Sequence, residues 1–107
     1  MRPVTVSQTG VGSTAVIITD INQAPFAIGM GVVVTGTVSY TVQHTFDDVF
    51  ATTFDPATAT WFNHPTLAAQ AANLDSNYAF PVRGVRLTIG SGSGTATLKL
   101  IQATGVV

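Results

Sequence analysis

Two histidines and five aspartates hold most of the chemistry this chain can offer, and they crowd into its middle. His44, Asp47 and Asp48 fall within one short stretch, and Asp55, Asn63 and His64 follow. Imidazoles and carboxylates so placed could ligate Ca²⁺ through oxygen, or Zn²⁺ through His and Asp. The calcium-loop pattern with a central Gly and a terminal Glu is missing, and the chain has no Glu at all. The competing reading has Asp47 and Asp48 closing a strand and accepting hydrogen bonds from turn N–H groups. His44 alternates with apolar residues, which suits a packed ring with satisfied nitrogens. No metal, cofactor or catalytic residue is expected from this set.

Nucleophilic chemistry has less to work with. There is no cysteine, no G-x-S-x-G elbow and no preferred carboxyl pair for glycoside cleavage. The GVGST run at Gly10–Thr14 lacks the lysine of a phosphate loop and reads as a plain turn. A non-enzymatic protein is therefore expected. The aromatic group Trp61, Phe62, Tyr78 and Phe80 could stack on sugars or bases, or serve as core and subunit-interface anchors. Arg83 and Arg86 fall on opposite faces of an ideal strand, and either could pair with an aspartate of a neighbour. Trp61, Phe62, Tyr78, Arg83 and Arg86 are the candidate interface residues.

Strands must position these groups. From Thr37 to Phe46 the sequence alternates without a break: Val38, Tyr40, Val42, His44 and Phe46 against Thr37, Ser39, Thr41, Gln43 and Thr45. Period two with one apolar side predicts a half-buried antiparallel strand. Phe26–Thr35 is more evenly apolar and predicts a strand covered on both faces. Gly36 between them marks either a tight turn or a kink in one long strand. Val4 and Val6 alternate with Thr5 and Ser7, and Thr14–Thr19 is β-branched. The middle is broken by Asp55-Pro56 and His64-Pro65, with a short strand at Thr60–Phe62, one or two helical turns at Leu67–Ala72 and a turn at LDSNY. Tyr78–Phe80 reads as a short strand. Val85, Leu87 and Ile89, then Ala96, Leu98 and Leu100, predict a hairpin closed by GSGSG. About eight short strands without a long helix imply an all-β fold. We expect a single antiparallel β-sandwich over 1–107, jelly-roll-like, with 1–12 an arm or edge strand.

At 107 residues the chain is one domain, with charged residues at 8% against about 25% in an ordinary soluble protein. Lys+Arg 4 against Asp+Glu 5 leaves a formal net charge of -1, which provides no basic footprint for nucleic acid or an anionic membrane. Mean hydropathy is +0.41, yet the longest apolar run is interrupted by Gly29 and Gly31 and is too short to span a bilayer. The opening MRPVTVSQTG has no apolar export core, so assembly in the cytoplasm is expected. A small chain with so little charge is expected to work as a subunit, with much of its surface against neighbours.

Three ordered segments carry a resemblance. VSYTVQHTFDD at Val38–Asp48, TATWFNHP at Thr58–Pro65 and SNYAFPVRGVRLTI at Ser76–Ile89 resemble segments of small virion structural proteins of tailed bacteriophages. The resemblance implies a capsid decoration (cement) protein or a related head or tail surface protein, found in the virion and bound to the major capsid protein. It brings no catalytic residues. With threefold docking axes in view, a homotrimer is the expected oligomer. Two other functions stay open: a tail or head-fibre component that binds host surface glycans, and a carbohydrate-binding β-domain.

Overall fold

The alternation read in the sequence becomes two antiparallel sheets that share one core. The computed structural model describes residues 4–19, 28–47, 54–55, 57–78 and 82–102. Among them are nine strands: β1 Val4–Thr9, β2 Gly12–Ser13, β3 Ile17–Ile18, β4 Ile28–Thr35, β5 Val38–Thr45, β6 Phe62–Asn63, β7 Leu74–Tyr78, β8 Gly84–Gly92 and β9 Thr95–Gln102. One sheet runs β1-β9-β4-β7; the other runs β2-β8-β5-β6, with β3 also on β8. The fold is an all-β sandwich.

Its construction is a sheet folded over a crease. Thr35 pairs with Thr95 in the first sheet, and Val38 with Gly92 in the second. Thus β4–β5 and β8–β9 lie side by side along their whole length and bend together from one sheet into the other. This settles Gly36 as a kink, and it overturns the hairpin expected between β8 and β9. Those two strands lie in different sheets, each paired with other strands. The GSGSG run supplies a bend because the paired strand beside it bends at the same level. Gly36 and Gly92 have φ of 83° and 101°, a region side chains avoid. A Cβ on Gly92 would strike the Thr37 carbonyl oxygen and lie 2.8 Å from Val38 Cα. The crease is further held by Gly94 N–H to Thr37 O and Gly10 N–H to Gly94 O, both 3.0 Å.

Inward residues of both sheets form one cluster: Ile28, Met30 and Val32 of β4, Val38, Tyr40 and Val42 of β5, Val85, Leu87 and Ile89 of β8, and Ala96, Leu98 and Leu100 of β9. Each large apolar side chain so buried contributes about 1.5–3 kcal/mol. Several expectations are corrected. Strand β4 is buried on one face only, because Gly29 and Val33 look outward. Phe46 is not on the buried face but 50% exposed, since the chain leaves the sheet after Thr45. LDSNY is strand β7 rather than a turn, pairing with β4 from Ile28↔Tyr78 to Val32↔Leu74. The β-branched stretch Thr14–Thr19 contributes only Ile17–Ile18 as strand, and the short strand near Trp61 is Phe62–Asn63. Residues 67–72 form no helix. The main-chain groups of β5 take this segment as a partner instead, through Val42 N–H to Leu67 O and a reciprocal Tyr40–Gln70 pair at 2.8–2.9 Å. Phe80, Asp48 and Pro56 lie outside the described residues.

Candidate functional site

At one end of the sandwich the two sheets are joined by histidines. His44 closes the inward row of β5, and Tyr78 ends β7 in the opposite sheet. The Tyr78 hydroxyl and His44 Nδ1 are 2.9 Å apart, with both side chains buried. His64, just beyond β6, meets the same phenol ring edge-on, as His44 does, each at 5.0 Å between centroids. The break at His64-Pro65 turns the chain so that the Thr66 N–H donates to His64 Nδ1 at 3.2 Å. That bond leaves Nε2 to carry the hydrogen and donate to the Asn77 carbonyl at 2.9 Å. Ser76 Oγ lies 3.2 Å from the same nitrogen.

Burial sets the electrostatics of this end. It lowers the His44 pKa below the ordinary imidazole value, and the neighbouring His64 lowers it further. Burial also raises the Tyr78 pKa well above that of a free phenol, so the hydroxyl keeps its proton and can donate to His44 Nδ1. Both imidazoles are thereby packed and hydrogen-bonded within the end of the sandwich. Against the outer side of His44 lie Phe62, stacked at 5.9 Å, and Phe46, edge-on at 5.4 Å. The Phe46 and Phe62 rings are 5.7 Å apart, and both are about half exposed.

A polar row crosses the outer face beside them. Gln43 of β5 stands between Arg86 of β8 and Asn63 of β6, in direct register. Arg86 Nε donates to Gln43 Oε1 at 2.9 Å, and Gln43 Nε2 donates to Asn63 Oδ1 at 3.0 Å. The Arg86 guanidinium lies over the Trp61 ring, 4.1 Å from its centroid. Such a contact contributes about 0.5–1 kcal/mol where solvent reaches it. Partial burial lowers the guanidinium pKa from its ordinary value.

The chain matches no family model, no curated protein and no solved structure. The geometry alone therefore sorts the candidate interface residues. Trp61 and Arg86 meet on the outer face of the second sheet, whereas Phe62, opposite His44, lies on the other face against His44 and Phe46. Tyr78 is fully buried and presents no surface to a partner. Arg83 sits in the bend before β8; its N–H donates to Thr45 O at 2.9 Å and its carbonyl accepts from Thr19 N–H at 3.2 Å. Asp47 accepts the Thr60 N–H at 2.9 Å, and Asp55 accepts the Ala57 N–H at 2.9 Å, so both hold turns. Among the described residues no group of three His, Cys, Asp or Glu could hold a metal ion.

Two features escaped the sequence reading. Gln43 and Asn63 complete the Arg86 row, visible only once the register of β5 on β6 and β8 is known. A shallow depression of about 320 Å³ lies on the first sheet, lined by Gly31, Val33, Leu74, Asp75 and Lys99 among others. Its signal was available: Gly29 and Gly31, two apart in a strand, leave one outward face bare. The arrangement as a whole offers exposed rings, amides and hydroxyls, which suit contact with another surface.

Proposed function

We propose that this chain is a non-enzymatic virion structural subunit that decorates an assembled capsid by binding its major capsid protein. The observation that carries the reading is the character of the surface. Val11, Ile18, Val33, Phe46, Phe62, Leu74 and Ile101 stand exposed on a chain only 8% charged. The outward rows between them are largely hydroxyls, paired across strands as in Ser7–Thr97, Thr9–Thr95 and Ser13–Thr88. Such a surface binds by apolar burial and neutral hydrogen bonds. The resemblance to small phage virion proteins supports the same reading. The mechanism is mass action: copies that bind the intact shell and not the broken one stabilise the intact one.

The test is attachment to purified particles. Phe62→Ala removes an exposed ring, so the free protein should keep its fold by circular dichroism. Its affinity for particles should fall roughly tenfold, the size of effect expected of an aromatic anchor. Raising the salt should weaken attachment little, because few charges are there to screen. Particles without the protein should assemble but break at lower temperature. Particles that stay robust without it yet fail to adsorb to host cells would replace this reading with the glycan-binding one. The exposed Phe46 and Phe62 rings are what would serve that role.

A further inference from the structure

The four edges of the two sheets are not protected alike. An open edge presents unpaired N–H and C=O groups, and proteins shield such edges by shortness, charge, proline or a covering segment. In the second sheet the edges are β2 with β3, and β6, each only two residues long. In the first sheet β7 carries Asp75, and the turn after β6 lies against it: His64 binds the Asn77 carbonyl, and Thr66 Oγ1 meets Ser76 Oγ at 3.1 Å. Among the described residues, strand β1 has none of these devices. It is six residues long, VTVSQT, without charge or proline, and its register on β9 runs unbroken from Val4↔Leu100 to Thr9↔Thr95. Among the described residues no strand lies beyond it. The core also stops unfinished there, since Val4 and Val6 pack against it yet remain only partly buried.

We propose that β1 pairs antiparallel with β1 of a second copy of this chain, about a two-fold axis at Val6. Residues opposite each other in an antiparallel pair share a face, so the inward set Val4, Val6 and Gln8 must meet its own kind. Only registers with an even sum of residue numbers do this, and centring on Val6 pairs the most residues short of Thr9. Gln8 Nε2 already turns to the Thr9 carbonyl at 3.3 Å, which closes the strand at that end. Val6 then faces the partner's Val6, Val4 faces the partner's Gln8, and Thr5 faces the partner's Ser7. The outward pair repeats the hydroxyl pairing that β1 already makes with β9, where Ser7 Oγ and Thr97 Oγ1 are 2.9 Å apart. A strand paired with itself about a two-fold axis is self-complementary, and a net charge of -1 per chain opposes it little. Two four-stranded sheets become one of eight. This pairing goes beyond the capsid reading and stands or falls without it.

Sedimentation equilibrium on the full chain at micromolar concentration tests it. The expected species has twice the 11.1 kDa chain mass. Thr5 and Ser7 are exposed, so charges there should leave the folded subunit intact, as circular dichroism would verify. The T5E/S7E variant places like charges opposite each other twice and should weaken the dimer roughly tenfold or more. The T5E/S7K variant places opposite charges there and should restore it, with a new sensitivity to salt. Val6→Cys gives a second readout in a chain with no cysteine of its own: oxidation should join two copies at position 6. A trimer or a monomer of the unmodified chain, equal dissociation of the two charge variants, or failure of the Val6→Cys crosslink would each overturn the proposal.

Discussion

Removing one oxygen atom tests the account of the histidine end. Tyr78→Phe keeps the ring and its edge-on contacts with His44 and His64 but deletes the hydroxyl 2.9 Å from His44 Nδ1. Both side chains are buried, so no bulk water stands ready to replace it. A buried polar atom deprived of its partner costs about 1–3 kcal/mol, more than the net worth of an ordinary hydrogen bond. For a domain near 100 residues each kcal/mol lowers the melting temperature by about 4–8 °C. The variant should therefore melt roughly 5–20 °C below the parent at neutral pH. Thermal unfolding followed by circular dichroism reads this directly. His44→Phe, which removes the other partner, should make a further Tyr78→Phe change cheaper than it is in the parent. If Tyr78→Phe melts within about 2 °C of the parent, the bond does not tie the sheets together and the reasoning fails.

The depressed pKa of His44 makes the unfolded chain bind more protons than the folded one as acid is added. Stability should be level above the unfolded imidazole value of about 6.5 and should fall as pH drops below it through the folded value; chemical denaturation between pH 8 and 5 checks the sign. Val42→Ala in the core should cost about 2–3 kcal/mol by lost burial and a cavity, while Thr41→Ala loses a single exposed bond to Ala69 N–H and should cost less than half as much. The same substitution should act oppositely at two glycines. Gly31→Ala meets open space and should stabilise by about 0.5–1 kcal/mol, whereas Gly92→Ala drives a Cβ into the Thr37 backbone and should prevent folding at ordinary temperatures.

Strand β5 was legible because one of its faces meets the core along most of its length, so alternation in sequence is alternation in burial. The same rule failed at Phe46, where the period continues in the sequence after the strand has ended. LDSNY has the composition of a turn, and only the presence of β4 alongside makes it a strand. The GSGSG run shows a deeper limit. A hairpin turn and a crease both need glycine in the left-handed region, and what separates them is the strand lying next to the glycines. Of the candidate interface, Trp61 and Arg86 were singled out separately, but their contact follows from the placement of Trp61 beside β6 and the pairing of β6 with β5 and of β5 with β8. Nothing local to either residue encodes it.

The position of β8 and β9 has a consequence for the order in which the molecule can be made. In the first sheet β9 separates β1 from β4, and in the second β8 separates β2 and β3 from β5. As the chain leaves the ribosome, residues 4–78 hold strands whose shared neighbour does not yet exist. Beyond β4 with β7 and β5 with β6, they have little to pair with. Translation must reach residue 92 before the second sheet can close and residue 102 before the first can, so folding waits on the last strands. A nascent chain arrested before residue 84 should remain sensitive to protease, and the full one should become resistant.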